Sequence, residues 1–155
     1  MEQMTDNFVL IFTCLIYGEL ILRWFFDRDG VNWKDSISNV IIGSVEKILT
    51  VYIWVMLMYG GWVLCYSLTP FRVEMSNWWV WPLSLVMSDL CFYTYHRISH
   101  HLRPLWSVHS VHHSSEDYNF TTALRLSWIE NSFRWIFWTP LPLLGFTPEL
   151  TAFVF

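Results

Sequence analysis

The chain has 155 residues, of which 54% are hydrophobic, 19% aromatic and 14% charged. A soluble domain usually carries about 25% charged residues, and a core of this size cannot bury so many apolar side chains. The formal net charge of -4 argues against nucleic-acid binding, which needs clustered lysines and arginines. The composition therefore favours a membrane protein over an ordinary soluble domain.

Two apolar stretches in the first half of the chain predict membrane helices. The first, 8–26, crosses most of a roughly 30 Å hydrocarbon core at about 1.5 Å per residue. Charged residues in and before it argue against a cleavable signal peptide: Glu2, Asp6, Glu19 and Arg23. A polar loop is predicted at 27–38, and a second span at 40–68. This span ends before Thr69-Pro70, because proline cannot continue the helical hydrogen-bond ladder.

The second half of the chain alternates between apolar and polar segments. A third span is predicted at 78–95, with Asp89 as its single ionisable group. Residues 96–125 are polar and rich in histidine, and 126–155 is apolar again. Helix breakers in this last stretch predict a kinked or re-entrant hairpin rather than one straight span: Pro140, Pro142 and Gly145. Residues 151–155 begin a new apolar run, which predicts that the natural protein continues.

The basic residues near the span ends predict one topology, because cytoplasmic loops carry an excess of lysine and arginine. The loop after the first span is basic and the loop after the second carries Arg72 alone, so the histidine-rich segment returns to the cytoplasm with its own three arginines. We therefore expect an all-α, polytopic, integral membrane protein with a cytoplasmic histidine-rich helical cap. We also expect residues 1–155 to form the N-terminal portion of a single membrane domain.

The histidines of the chain are confined to one short segment: His96, His100, His101, His109, His112 and His113. The offset of four residues from His96 to His100 places both imidazoles on one helical face, and His109 and His113 repeat it. Two imidazoles so placed can hold one first-row metal ion. The adjacent His112 and His113 point about 100° apart on a helix, which favours a second ion.

Carboxylates near the histidines are predicted to orient them. Asp89 lies about two helical turns before His96, and we expect it to accept a hydrogen bond from a ligand imidazole; pairing with a serine or a lipid-facing water is the alternative. Glu116 and Asp117 are candidates for the same role, or else exposed loop residues. Five or six imidazoles are too few for two catalytic ions, so further ligands are expected beyond Phe155.

Two histidine motifs follow the apolar stretch 78–95: HRxxH at 96–100 and HxxHH at 109–113. The segment resembles the fatty acid hydroxylase/sterol desaturase superfamily. The continuation HSSEDYN at 113–119, followed by TALR at 122–125, is similar to the alkylglycerol monooxygenase branch and its bacterial relatives in the sterol desaturase family. The first two spans match only in their hydrophobic pattern.

The resemblance implies a non-haem centre of two iron ions that uses dioxygen to hydroxylate or desaturate a C–H bond of a membrane lipid. The substrate would be an ether lipid, a sterol or a fatty acyl chain. His96 and His100 match the first histidine box, and His109, His112 and His113 match the second. His101 is the alternative to His100 where the first box is one residue wider.

The resemblance also implies an electron donor and a larger ligand set. The donor is tetrahydrobiopterin in the alkylglycerol branch and a cytochrome b5-type or ferredoxin-type protein in the others. The final HxxHH box of the family has no counterpart here, so the residues present are expected to be inactive alone.

Three further residues are candidates for lining the site: Trp106, Tyr118 and Asn119. The alternatives are interfacial aromatic residues and, for Asn119, a helix cap before Thr121. Two other functions remain open from the sequence. A membrane metal-binding or transport protein would distribute ionisable residues over several spans, and a haem-binding cytochrome would place histidines on two facing spans.

Overall fold

The computed structural model describes residues 2–26 and 30–155, and all regular structure in these ranges is helical, which confirms the expected all-α class. The α-helices described are α1 Glu2–Phe26, α2 Trp33–Leu49, α3 Val55–Leu68, α4 Val80–His101, α5 Arg103–His109, α6 Asn131–Arg134, α7 Pro140–Leu143 and α8 Pro148–Val154. A π-helical turn at Thr50–Trp54 joins α2 to α3. Short 3-10 helices lie at His112–Ser114, Phe120–Leu124 and Trp135–Trp138.

The helices form two compact units. The first comprises Met1–Glu46 and Ser110–Ser127, and the second comprises Lys47–His109 and Trp128–Phe155. The chain therefore leaves the first unit within α2, returns to it immediately after α5, and leaves it again before α6.

The first unit is held together by polar contacts between α2 and the loop that follows the histidines. Nδ2 of Asn39 donates to the hydroxyl oxygens of Ser115 at 3.2 Å and of Thr121 at 3.0 Å. Gly43 lies against the backbone of Leu124, where any side chain would collide with the carbonyl oxygen. A helix that carries small and polar residues on this face can approach the loop closely.

The two faces of α2 reverse the pattern of a soluble protein. Asn39 and Glu46 are buried, at 0% and 1% exposed, whereas Ile37 and Ile41 are 55% and 58% exposed. A helix of a soluble protein turns its apolar stripe inward and its polar face to water. An apolar outer face around a polar interior is the arrangement that suits lipid.

The second unit packs α3, α4, α7 and α8 around one core. Nine buried residues form it: Met58, Trp62, Val80, Cys91, Tyr95, Trp138, Leu141, Phe146 and Leu150. The indole N–H of Trp138 donates to the hydroxyl of Ser88 at 2.8 Å, so the one polar atom of this ring is satisfied inside the core. This core fixes α4, and α4 carries the first two histidines.

Several predicted boundaries agree with the helices. α3 ends at Leu68, as the sequence predicts, and the described part of α1 reaches Phe26. α4 begins at Val80, close to the predicted start, but it continues past Tyr95 to His101.

The predicted loop at 27–38 is wrong from Trp33 onward, because α2 begins there. Asn32 explains the early start: its side-chain oxygen accepts a hydrogen bond from the N–H of Asp35 at 3.2 Å, as a helix-capping residue does. Residues 27–29, which include the predicted loop residues Arg28 and Asp29, lie outside the described residues.

The final apolar stretch is broken into short helices, as its helix breakers predict. Pro140 begins α7, where a missing N–H costs nothing because the first turn has no partner for it. The chain then reverses at Gly145, whose φ is +94° and whose Cα lies so close to the backbone of Phe71 that no side chain would fit.

One helix in the described ranges, Trp33–Ile53, is long and apolar enough to cross a membrane. The four predicted segments are therefore not all matched by spans of that length and polarity: α1 includes Glu19 and Arg23, and α4 ends in a polar turn. The multi-pass topology, its cytoplasmic orientation and the single-domain organisation stay predictions.

Candidate metal centre

Two histidines converge on the last turns of α4. His96 and His100 lie on one face of this helix, as their spacing predicts, with their ring centroids 4.8 Å apart. Their Nε2 atoms are separated by 3.1 Å. Two nitrogens bound to one ion at about 2.0–2.1 Å, at right angles, lie about 3 Å apart, so this separation fits two ligands of a single ion.

A third histidine reaches the pair from α5. Leu102 adopts an extended conformation that ends α4, and Pro104 stands in the first turn of α5, where proline is tolerated. α5 then packs along α4 and ends at His109, whose ring centroid lies 4.6 Å from that of His96 and 5.2 Å from that of His100. One nitrogen from each of the three rings lies within 4.8 Å of the others. This donor set fits a first-row metal ion, for which imidazole is a suitable ligand.

A buried carboxylate stands behind His109. Oε1 of Glu130 lies 3.5 Å from Nδ1 of His109 and accepts a hydrogen bond of 3.0 Å from the phenol of Tyr95. Glu130 is not among the site residues predicted from the sequence, although a signal was available: it is one of two acidic residues, with Glu149, within the apolar stretch 126–155.

The predicted orienting residues lie elsewhere. Asp89 is exposed on α4, and the described residues include no hydrogen bond between it and a histidine. Glu116 is exposed in the first unit. Asn119 is buried, and its side-chain oxygen accepts from the N–H of Thr121 at 2.9 Å. Asn119 therefore caps the 3-10 helix Phe120–Leu124, which is the alternative role predicted for it.

Asp117 forms an ion pair instead of orienting a histidine. Nη2 of Arg23 donates to its carboxylate at 2.8 Å, and the backbone N–H of Asn32 donates to its other oxygen at 3.1 Å. The hydrogen bond from Arg23 lowers the pKa of the Asp117 carboxyl below its ordinary value, against the opposing effect of partial burial. Asp117 ties the loop after the histidines to α1 and to the start of α2.

The remaining histidines are placed differently. His101 ends α4, is exposed and does not belong to the group of converging nitrogens. His112 and His113 lie in the first unit on the 3-10 turn His112–Ser114, with ring centroids 5.2 Å apart and ring planes at 79°. The expectation that one helix carries both His109 and His113 is wrong, because α5 ends at His109.

Arg125, the last residue of the TALR motif, holds the backbone on both sides of the adjacent histidines. Its Nε donates to the carbonyl of Val111 at 3.1 Å and to the hydroxyl of Ser114 at 2.9 Å. Nη1 donates to Oδ1 of Asn39 at 2.9 Å and lies 3.6 Å from Asp35. The motif thus connects α2 to the turn that carries His112 and His113.

The two aromatic candidates differ in position. The ring centroid of Trp106 lies 5.2 Å from that of His100, so this side chain borders the cluster. Tyr118 is 88% exposed in the first unit.

The chain is an all-helical protein with histidines converging at the end of an apolar helix, and comparison with known proteins gives it a family. Residues 81–155 match the model of the family described as Fatty acid hydroxylase. This part of the chain, which holds the three clustered histidines and Glu130, belongs to that family. The resemblance inferred from the motifs is confirmed.

Known relatives match almost the whole chain. It is similar to the alkylglycerol monooxygenases of Xenopus tropicalis, at 31% identity over 88% of the chain, and of Danio rerio, at 34% identity over 86%. The human alkylglycerol monooxygenase is 27% identical over 85% of the chain. The chain spans 30% of the length of each of these relatives. No solved structure matches.

Proposed function

We propose that this chain supplies the first metal ligands of an oxygen-dependent lipid hydroxylase. The observation that carries the proposal is the convergence of His96, His100 and His109, with nitrogens within 4.8 Å of one another, inside a region that belongs to the Fatty acid hydroxylase family. The relatives are named monooxygenases. Iron, when bound, would supply the activation of dioxygen.

The proposed ligands are His96, His100, His109, His112 and His113, and His100 is preferred to His101. The distance of 3.1 Å between Nε2 atoms supports His100, while His101 is not part of the converging group. His112 and His113 are proposed on the HxxHH motif. We propose two iron ions, because adjacent histidines cannot present their nitrogens to one ion in the same direction.

The proposed substrate is a membrane lipid with an alkyl ether bond. The name of the relatives supports this choice, and so does the HSSEDYN and TALR continuation. The apolar outer face of α2 supports a place in the bilayer, and the protein would then hold the lipid chain against α4. A hydroxylation by dioxygen needs an electron donor, for which we keep tetrahydrobiopterin and an external electron-transfer protein as the two candidates.

The residues of the chain contribute positioning and exclusion of water. α4 and α5 hold the three imidazoles in place through the core of the second unit, so no ligand has to be reorganised when an ion binds. Trp106 covers one side of His100. Because the match covers only 30% of each relative, we propose that the 155 residues alone do not complete the reaction.

Metal analysis of the natural full-length protein tests the proposal. We expect about two iron ions per chain, a loss of metal when His96 or His112 is replaced by alanine, and no loss when His101 is. The same preparations are assayed for dioxygen-dependent hydroxylation of an alkylglycerol, with tetrahydrobiopterin and with a reduced ferredoxin as alternative donors.

Two outcomes would contradict the proposal. Metal content that the histidine variants leave unchanged would exclude the ligands, and a Soret band in the purified protein would favour the haem-binding alternative. Metal binding without turnover of any lipid would instead favour a metal-binding or transport protein.

A further inference from the structure

The carboxylate of Glu130 is one of the most deeply buried charged groups in the described part of the chain. Glu130 is 2% exposed, and its two neighbours Tyr95 and His109 are 1% and 3% exposed. An ionised carboxylate away from water is costly unless donors surround it. Here the phenol of Tyr95 donates to Oε1, and Nδ1 of His109 faces the same oxygen at 3.5 Å.

This arrangement favours one tautomer of His109. A carboxylate only accepts hydrogen bonds, so the imidazole nitrogen that faces Glu130 has to be protonated to make a favourable contact. Nδ1–H then points to Glu130, and Nε2 keeps its lone pair for the cluster. Metal-bound histidines are commonly oriented by a carboxylate in this way.

Tyr95 fixes the carboxylate in turn. Its ring packs edge-on against the rings of His109 and Phe137, with centroids 6.0 Å and 5.3 Å away. Tyr95 lies one residue before His96 on α4, so the residue that holds Glu130 and the first ligand move together. The three side chains form a chain of contacts, Tyr95 to Glu130 to His109, that ends at the cluster.

We propose that Glu130, held by Tyr95, is a positioning residue for His109: it selects the Nδ1–H tautomer and directs Nε2 toward the metal. The inference deepens the proposed function and rests on it, since it takes His109 as a ligand. It also replaces Asp89, which the sequence favoured for this role, with a residue 21 positions beyond His109.

Metal affinity of the full-length protein, measured with Zn²⁺ against a competing chelator, gives the first test. Glu130→Leu is expected to weaken binding about 10- to 100-fold, the usual effect of losing a group that orients a ligand. Glu130→Gln keeps an oxygen acceptor and should retain more affinity. Glu149→Leu is a control for the chemical change, because Glu149 also accepts a phenol hydrogen bond, at 2.6 Å from Tyr59, but is exposed and contacts no histidine in the described part of the chain.

A double-mutant cycle separates positioning from simple support of the fold. The effect of Glu130→Leu should disappear in a His109→Ala background, where there is no imidazole left to position. Tyr95→Phe keeps the ring and removes only the hydroxyl, so it tests the same chain of contacts in a variant that preserves the core. A loss of affinity that is the same with and without His109, or the same in Glu149→Leu, would overturn the proposal.

The tautomer itself is measured by ¹⁵N NMR of histidine-labelled protein. The Zn²⁺-loaded protein should show His109 protonated at Nδ1 and metal-bound through Nε2, and Glu130→Leu should lose this preference. A His109 protonated at Nε2 would refute the inference. If the protein binds neither iron nor Zn²⁺, the proposed function fails, whereas the His109 signals of that metal-free protein still decide the role of Glu130.

Discussion

Replacing Gly43 by alanine tests how closely α2 packs against the loop that follows the histidines. A Cβ at this position would lie 2.5 Å from the carbonyl oxygen of Leu124 and 2.8 Å from its Cβ. A backbone carbonyl cannot rotate away as a flexible side chain can, so α2 or the 3-10 helix Phe120–Leu124 has to shift. We expect Gly43→Ala to destabilise the first unit.

The magnitude follows from two opposing effects. Exchanging glycine for alanine inside a helix stabilises by about 0.5–1 kcal/mol, whereas overpacking costs roughly 1–3 kcal/mol. Gly18 provides the matched control, because it lies inside α1 with no atom within 4 Å of an added Cβ. The helix effect cancels in the comparison, so Gly43→Ala should be about 1–3 kcal/mol less stable than Gly18→Ala.

Thermal unfolding of both variants in one detergent measures the difference. At about 2–4 °C per kcal/mol for a chain of this size, Gly43→Ala should melt roughly 2–12 °C below Gly18→Ala. Equal melting temperatures, or a more stable Gly43→Ala, would show that α2 does not pack against Leu124 as closely as the structure places it.

Three further predictions concern the histidine segment. His100→Ala should lose bound metal while His101→Ala keeps it, because only His100 lies beside His96; metal analysis decides. Arg125→Lys loses the Nε–H bonds to Val111 and Ser114, and the free energy of unfolding should fall by about 1.5–3 kcal/mol. The ionised carboxylate of Asp117 stabilises the folded state, and this contribution is complete above the pKa of about 3.9 that the group has in the unfolded chain. The free energy of unfolding of the wild type should therefore decrease as the pH falls below about 4 toward the lowered folded-state pKa.

Each of these predictions has a control or a contradicting result. Retention of metal by His100→Ala together with its loss from His101→Ala would restore the wider first box. An unchanged stability of Arg125→Lys would mean that a lysine ammonium replaces the guanidinium contacts. Asp117→Asn cannot titrate, so its stability should depend less on pH below 4 than that of wild type; parallel pH curves would contradict the Arg23 ion pair as the cause.

The helices were predictable where local chemistry determines their ends. Thr69-Pro70 stops α3 at Leu68 in any fold, since proline provides no N–H for the next turn. The start of α2 was missed because Asn32 was read as a loop residue, although its side chain caps the helix. The π-helical turn at Thr50–Trp54 could not be predicted, because it depends on tertiary contacts such as the hydrogen bond of 2.7 Å from Asn131 to Thr50.

Contacts within the site were predictable from the sequence only where the two residues lie close together along the chain. His96 and His100 are one helical turn apart, so their convergence follows from α-helix geometry alone. His109 joins them only because α5 folds back after Leu102, and Glu130 only because the segment beyond the first-unit loop returns to the second unit. Asp89 was predicted to orient a histidine because its helical offset from His96 follows from the sequence, whereas the contact between Glu130 and His109 depends on a reversal of the chain.

The geometry also bears on the number of ions. The Nε2 atoms of His96 and His100 are 3.1 Å apart, which fits two ligands of one ion. His109 brings a third imidazole to this pair, and a catalytic ion commonly has three protein ligands and one open position. His112 and His113 are adjacent on the 3-10 turn His112–Ser114, with ring centroids 5.2 Å apart. The second ion proposed for this pair rests on the HxxHH motif, and the metal analysis measures how many ions are bound per chain.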